Sequence, residues 1–306
     1  MGESRPEGEG SGGRHRLGPT VAGTWYTADP RALARQIDDL LEQGRKAADP
    51  TRPVRAVIAP HAGLVYSGEV AGRGFAWLRD RRFERVVLLG PSHHAAFPGA
   101  ALPQATVYRT PLGEIAIDAR SIEALGGRPG IRIDDAPFRP EHCLEAEILF
   151  LQRALGADWL LLPLLIGAGT TANDADTLAE ALRRWATPET LIVVSSDFTH
   201  FGPQFRYVPF DDRVPERIER LDMGAVDRIL AVDPGGFADY VERTGATICG
   251  RDAIGVLLRL LPRGVRGSLV AYDTSGRMTG SWDHTVSYAS VVFQDHAKEA
   301  GAPCPS

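Results

Sequence analysis

The chain is poor in cysteine, in lysine and in long apolar runs, and each scarcity removes a class of function. Cys143, Cys249 and Cys304 are its only cysteines in 306 residues. Three widely spaced thiols make no disulfide framework, and no secretory apolar segment precedes them, so a reduced, cytoplasmic protein is expected. Lys46 and Lys298 are the only lysines among 34 basic residues, against 39 acidic ones and a net charge of −5. A basic face for nucleic acid is therefore not expected. The most apolar stretch, Trp159 to Ile166, is far too short to span a bilayer, so no membrane partner is expected. Met1-Gly2 opens like a myristoylation signal, but Pro6 stands where Ser or Thr is required.

What is present is a set of apolar runs that end in polar chemistry. With 43% hydrophobic residues the chain can bury a large core. Val86 to Leu89 is uninterrupted and apolar, and Gly90-Pro91 then leads to Ser92, His93 and His94. Short apolar runs bounded by turn residues suit buried strands of a parallel sheet. The same layout recurs where Val54–Ala59 meets Pro60-His61, and where Leu191–Val194 meets Ser195-Ser196-Asp197 and His200. Loops at the carboxyl ends of parallel strands are where open α/β folds place ligand sites. One site assembled from separate loops is expected.

Residues 1–17 carry almost nothing to bury and read as a disordered tail, with His15 solvated. A single α/β domain is expected over 18–295, its sheet mainly parallel and flanked by helices, followed by a tail at 296–306 that holds His296 and Cys304. Asp29-Pro30 starts a helix as N-cap and first residue, and Ser67 is the expected cap of a second. Tyr108 to Gly113 marks a turn before a short strand, and Glu141 to Leu155 has helical spacing. Trp159–Ile166 reads as a further buried strand. Arg213 to Arg243 divides into two helices at Asp233-Pro-Gly-Gly236, and Thr247-Ile-Cys-Gly250 precedes another. Ser268–Tyr272 and Thr285–Phe293 close the chain as strands.

His61, His93, His94, His142 and His200 all sit in loops or at a helix start rather than in apolar stripes. Neutral imidazole suits iron, copper and zinc, although no local motif such as His-Glu-x-x-His is present. Two readings stand at Cys249. A helix beginning near Arg251, with that cation beside it, favours thiolate, whereas most free cysteines behave as small buried hydrophobes. His142 and Glu145 stand three apart on one helix face, either as a pair orienting a ligand or as an acidic first turn. Asp197, three residues before His200, is placed to hold that ring's tautomer, which would make His200 a general acid or base; an N-cap is the other reading.

Taken together, Ile58-Ala-Pro-His-Ala-Gly63, Leu89-Gly-Pro-Ser-His-His94, Glu141-His-Cys-Leu-Glu145, Val194-Ser-Ser-Asp-Phe-Thr-His200 and Thr247-Ile-Cys-Gly-Arg251 resemble the Memo family. Gly23-Thr-Trp-Tyr26 and Val286-Ser-Tyr-Ala289 match it as well. The resemblance implies a fold similar to the extradiol-type non-haem iron dioxygenases. It also implies a metal pocket of His61, His93 and Cys249 with Asp197 and His200 beside it. His94, His142, Glu145 and Arg251 would then line the pocket or stand behind the ligands. Bacterial and archaeal relatives accompany AMMECR1-like and radical SAM proteins, which the resemblance suggests as partners.

This chain carries Cys143 where the family usually has Ser or a similar residue, which raises a second thiol as redox partner for Cys249. Replacing the carboxylate of a two-histidine iron site by a thiolate shifts the preference toward Fe(II), Cu or Zn, so ring cleavage does not follow from the fold. A redox-active or metal-handling protein, a dioxygenase-like enzyme acting on a small molecule, and a peptide- or protein-binding module are the readings carried forward.

Overall fold

In the computed structural model, which describes residues 15–49 and 51–295, the apolar runs become adjacent strands of one sheet. The first half of the chain forms β1 (Arg16–Leu17), α1 (Pro30–Gly44), β2 (Val54–Ala59), α2 (Leu64–Phe75), β3 (Arg85–Ala96) and β4 (Ala100–Leu102). It continues through β5 (Val107–Thr110), β6 (Gly113–Ala116), α3 (Ala119–Leu125), β7 (Ile131–Ile133) and α4 (Cys143–Ala154). Next come β8 (Leu160–Ala168), α5 (Ala172–Leu182), β9 (Thr190–Ser195) and β10 (His200–Phe201). The last part holds α6 (Val214–Leu230), α7 (Pro234–Thr244), α8 (Arg251–Leu260), β11 (Val265–Thr274), α9 (Ser275–Thr279) and β12 (Thr285–Asp295).

At the centre, β2, β9, β3 and β8 run parallel in that order. The sheet continues antiparallel from β2 to β12 and from β8 to β4, with β11 antiparallel to β12. Successive strand residues point to opposite faces, yet Val86, Val87, Leu88 and Leu89 are all buried. Both faces must therefore be covered. One helix group, α1, α2 and α4, packs together, with Phe75 of α2 stacked on Phe150 of α4 at 5.3 Å. The other links α6 to α7, α7 to α8 and α8 to α5, and β3 is touched by both α4 and α8. Fully burying such side chains contributes about 1.5–3 kcal/mol each before entropy is counted. The result is a mixed α/β domain with a central sheet flanked by helices.

Three details depart from the sequence expectations. The fold begins before residue 18: Arg16 and Leu17 pair with Val107 and Tyr108, Leu17 is buried, and His15 Nδ1 lies 3.3 Å from Asp135. An apolar residue and an open strand edge outweigh the polar composition there. Residues 1–14 and the tail at 296–306, with His296 and Cys304, lie outside the described residues. The second helix starts at Leu64 behind Gly63, and Ser67 lies within it with its hydroxyl donated to Ala62 O at 2.8 Å. Gly90-Pro91 is not a turn but continues β3 opposite Leu165 and Ile166, and the register breaks only between Pro91 and Ala96. Gly90 is needed for proximity, since a Cβ there would meet Cys143 Sγ at 2.6 Å.

Candidate metal centre

The carboxyl ends of β2, β3 and β9 converge with the entry to α8. His61 follows β2, His93 lies in the bulge of β3, Asp197 follows β9, and Cys249 precedes α8. A ligand atom from each of His61, His93 and Cys249 lies within 4.8 Å of the other two. The His61 and His93 rings meet edge to face with centroids 5.3 Å apart, and His61 Nε2 is 3.5 Å from Cys249 Sγ. Gly250 permits this approach, because a Cβ there would meet the Ser196 side chain at 2.5 Å.

Each imidazole is held from behind through Nδ1. His61 Nδ1 hydrogen-bonds Ser195 Oγ at 2.7 Å, and that hydroxyl donates to Cys143 O at 2.7 Å. Glu147 Oε1 lies 2.9 Å from the same hydroxyl. Burial pushes the Glu147 carboxyl well above its usual range, and the hydrogen bond from the Ser195 hydroxyl works against that shift. His93 Nδ1 is 2.9 Å from Glu141 Oε1, and His93 donates its backbone N–H to Glu141 Oε2 at 2.7 Å. Burial opposes ionisation of Glu141, but the His93 ring and the backbone N–H groups around it win and hold its carboxyl well below the ordinary range. Burial drives His61 the other way, well below the usual imidazole value, with the charge of His93 adding to it. A neutral His61 bonded through Nδ1 presents an Nε2 lone pair to Cys249, as a metal ligand must.

Cys249 is buried enough that its thiol is pushed well above the ordinary value, and the nearby Asp197 charge adds to the shift. Of the two readings of Cys249, this favours the buried thiol over the thiolate that the helix end and Arg251 would support. The Arg251 side chain is more than half exposed and lies 3.7 Å from Asp252. The donor set nevertheless fits a soft or borderline ion, two imidazole nitrogens and one sulfur that loses its proton on coordination.

The remaining candidates divide. His142 belongs to the cluster: its ring stacks on His93 at 4.8 Å, meets Trp25 at 4.5 Å, and is pushed down to about 4 by burial. His94 is exposed and further out, 6.5 Å from His93 between ring centroids. Glu145 turns away from this centre. It accepts from Thr20 N at 2.6 Å, Thr20 Oγ1 at 3.0 Å, Val21 N at 3.3 Å and the Tyr26 hydroxyl, so it fastens the N-terminal segment to α4. Asp197 does not hold the His200 ring as expected. Its Oδ1 accepts the His61 backbone N–H at 2.9 Å, whereas His200 Nδ1 is engaged by Phe198 O at 2.9 Å and Thr247 O at 3.0 Å. Cys143 donates its thiol to Pro91 O at 3.1 Å and burial raises it, which makes it a packed thiol of β3 and α4. Glu141, Ser195 and Glu147 have supporting roles that the sequence reading did not assign.

These features define a class: a mixed α/β domain, its four central strands parallel and its flanking ones largely antiparallel, with an imidazole and thiol cluster at the carboxyl edge of the parallel strands. The chain belongs to the Memo family. The family described as Memo-like protein matches residues 17–292. Protein MEMO1 of Xenopus laevis is 34% identical over 289 residues, covering 90% of this chain and 96% of the relative. Protein MEMO1 of Homo sapiens is 32% identical with the same coverage. The memo-1 homolog of Caenorhabditis elegans is 32% identical over 298 residues, covering 93% of this chain and 84% of the relative. In structure, an uncharacterized protein, JW3007, of Escherichia coli K12 superposes with a TM-score of 0.50 at 14% identity, covering 78% of this chain and 99% of its own, a likeness of fold alone. Among the described residues no helix is long and apolar enough to cross a membrane.

Proposed function

We propose that this Memo-family protein binds iron or copper through His61, His93 and Cys249 and has a redox-active or metal-handling role. The observation that carries the reading is the convergence of the three ligand atoms within 4.8 Å, with Nδ1 of both rings already engaged. Two histidines fixed from behind by Ser195 and Glu141 are the arrangement that orients imidazole ligands and raises their basicity. Iron or copper would supply one-electron chemistry at this point; zinc would suit the same donors without it. Asp197 holds the His61 backbone and lends negative charge near the sulfur. His200, with Nδ1 taken by two carbonyls, keeps Nε2 to hold or release a proton, which is what a dioxygenase-like reaction would ask of it. A reducing cytoplasm would keep Cys249 available, and AMMECR1-like and radical SAM proteins are the partners to seek.

The test is metal content. Protein purified without oxygen and without a histidine tag is expected to carry near-stoichiometric iron or copper by mass spectrometry, and Cys249→Ser and His93→Ala to lose it. No metal as isolated, and no uptake of Fe(II), Cu(I) or Zn(II), would sink the proposal. Oxygen uptake with a catechol-like substrate would add the enzymatic reading.

A further inference from the structure

A cavity of about 270 Å³ lies beside the three proposed ligands, between the ends of β3 and β8 and the first turn of α8. Its wall includes His93 and Cys249, so it opens onto the metal centre. The rest of the lining has two characters. Pro91, Ile166, Ala168 and Ile248 are apolar, whereas Ser92, Arg251 and Asp252 gather polar groups toward the helix end.

Two independent observations mark this polar end as built for an anion. The first is α8 itself, a helix of 10 residues that starts behind Gly250 with no side chain capping it; Arg251 N–H is taken by Ile248 O at 3.3 Å, which leaves the N–H groups of Asp252 and Ala253 as its donors. The first N–H groups of a helix have no intrahelical acceptor, and the helix dipole favours negative charge there. The second is Ser92, only 7% exposed. Its buried Oγ has no hydrogen-bond partner among the described residues. A buried hydroxyl without a partner is costly, and an acceptor arriving in the cavity would satisfy it. Arg251, the first residue of α8, adds a guanidinium whose nearest carboxylate, Asp252, is 3.7 Å away and leaves its donors largely free.

We propose that this cavity binds a small organic monocarboxylate, its carboxylate received by Arg251, Ser92 and the first turn of α8, its compact apolar body lying on Ile166 and Ile248. The charge count favours a monoanion over phosphate, because Asp252 offsets part of the Arg251 charge. The volume, at the lower end for small-molecule pockets, favours a compact body. The proposal rests on the metal reading only in naming the ligand of that centre; the anion site itself stands without metal.

Calorimetric titration of the metal-free and metal-loaded protein with benzoate, benzamide and inorganic phosphate tests it. Benzoate is expected to bind both forms at least about tenfold more tightly than benzamide, the usual worth of a charged hydrogen-bonding partner. Arg251→Gln and Ser92→Ala should each weaken benzoate by about five- to tenfold and leave metal content unchanged. Equal binding of benzoate and benzamide, no binding of benzoate, preference for phosphate, or benzoate affinity untouched by both substitutions would overturn the proposal. Absence of metal with benzoate discrimination intact would instead remove the metal reading and leave the anion site standing.

Discussion

Substituting Glu141 by Gln preserves shape but changes a carboxylate that receives His93 N at 2.7 Å, His93 Nδ1 at 2.9 Å, His142 N at 3.0 Å and Cys143 N at 3.1 Å. An amide offers one acceptor oxygen and one donor nitrogen. Whichever way it turns, its NH₂ group faces at least one buried N–H. The less costly orientation keeps the oxygen toward Nδ1 and places the nitrogen against the His93 backbone N–H. One unsatisfied buried donor costs about 1–3 kcal/mol, and loss of charge from the other bonds brings the total to roughly 2–4 kcal/mol. The His93 ring is also held less firmly, and losing such a partner lowers metal affinity by about 10–100-fold. Urea unfolding of metal-free protein should report the first effect, and competition with a chelator for Zn(II) the second. If E141Q loses stability as expected but binds Zn(II) as tightly as wild type, Glu141 merely fastens α4 and the argument that it prepares His93 as a ligand is refuted.

Glu145→Ala strands the donors of Thr20, Val21 and Tyr26. It should cost about 2–4 kcal/mol in urea unfolding and speed amide exchange over residues 20–26, with metal content unaltered. Gly90→Ala, whose Cβ would press on Cys143 Sγ at 2.6 Å and on Leu144, should cost about 1–3 kcal/mol, visible as a lower melting temperature. Leu88→Ala, at a fully buried position of β3, should cost about 2–5 kcal/mol in the same assay. Asp118 supplies a pH test. Burial works against it, but Ser121 and Arg85 hold its carboxyl below the ordinary range. A depressed folded-state value gives stability that is complete above the unfolded value of about 3.9 and is lost as pH falls through the folded one. Asp118→Asn should therefore flatten the stability–pH curve below about pH 4, and an unchanged acid limb would count against the pairing.

The central strands were legible because parallel strands covered on both faces must be apolar at every position, and Val54–Ala59, Val86–Leu89 and Leu191–Val194 are nearly so. Their direction alone places His61, His93 and Asp197 at one edge. The helix start at Leu64 was hidden because Gly63 caps it without a side chain, leaving Ser67 as a false signal. The supports behind the histidines were hidden for another reason. Glu141 reaches His93 across 48 positions, and Ser195 reaches His61 across 134, so spacing carries no trace of either pair. Asp197 and His200 illustrate the reverse. They are close in sequence, yet the His200 ring is taken by backbone carbonyls, which every residue type possesses. Glu145 shares a turn with His142 but finds its partners 119 to 125 positions away.

The bulge after Pro91 and the 188 positions between His61 and Cys249 have a consequence for how the protein is made. If the site takes metal as proposed, its ligands are too far apart in sequence to chelate as a local motif, so newly synthesised protein would compete poorly for metal until β2, β9 and β3 are in register. Metal capture would then be a late event that selects finished molecules. An ion that binds only the native state adds about 2.7 kcal/mol of stability at a hundredfold excess over its dissociation constant. Copies that had met their metal would outlast those that had not, and the supply of metal would set the amount of protein.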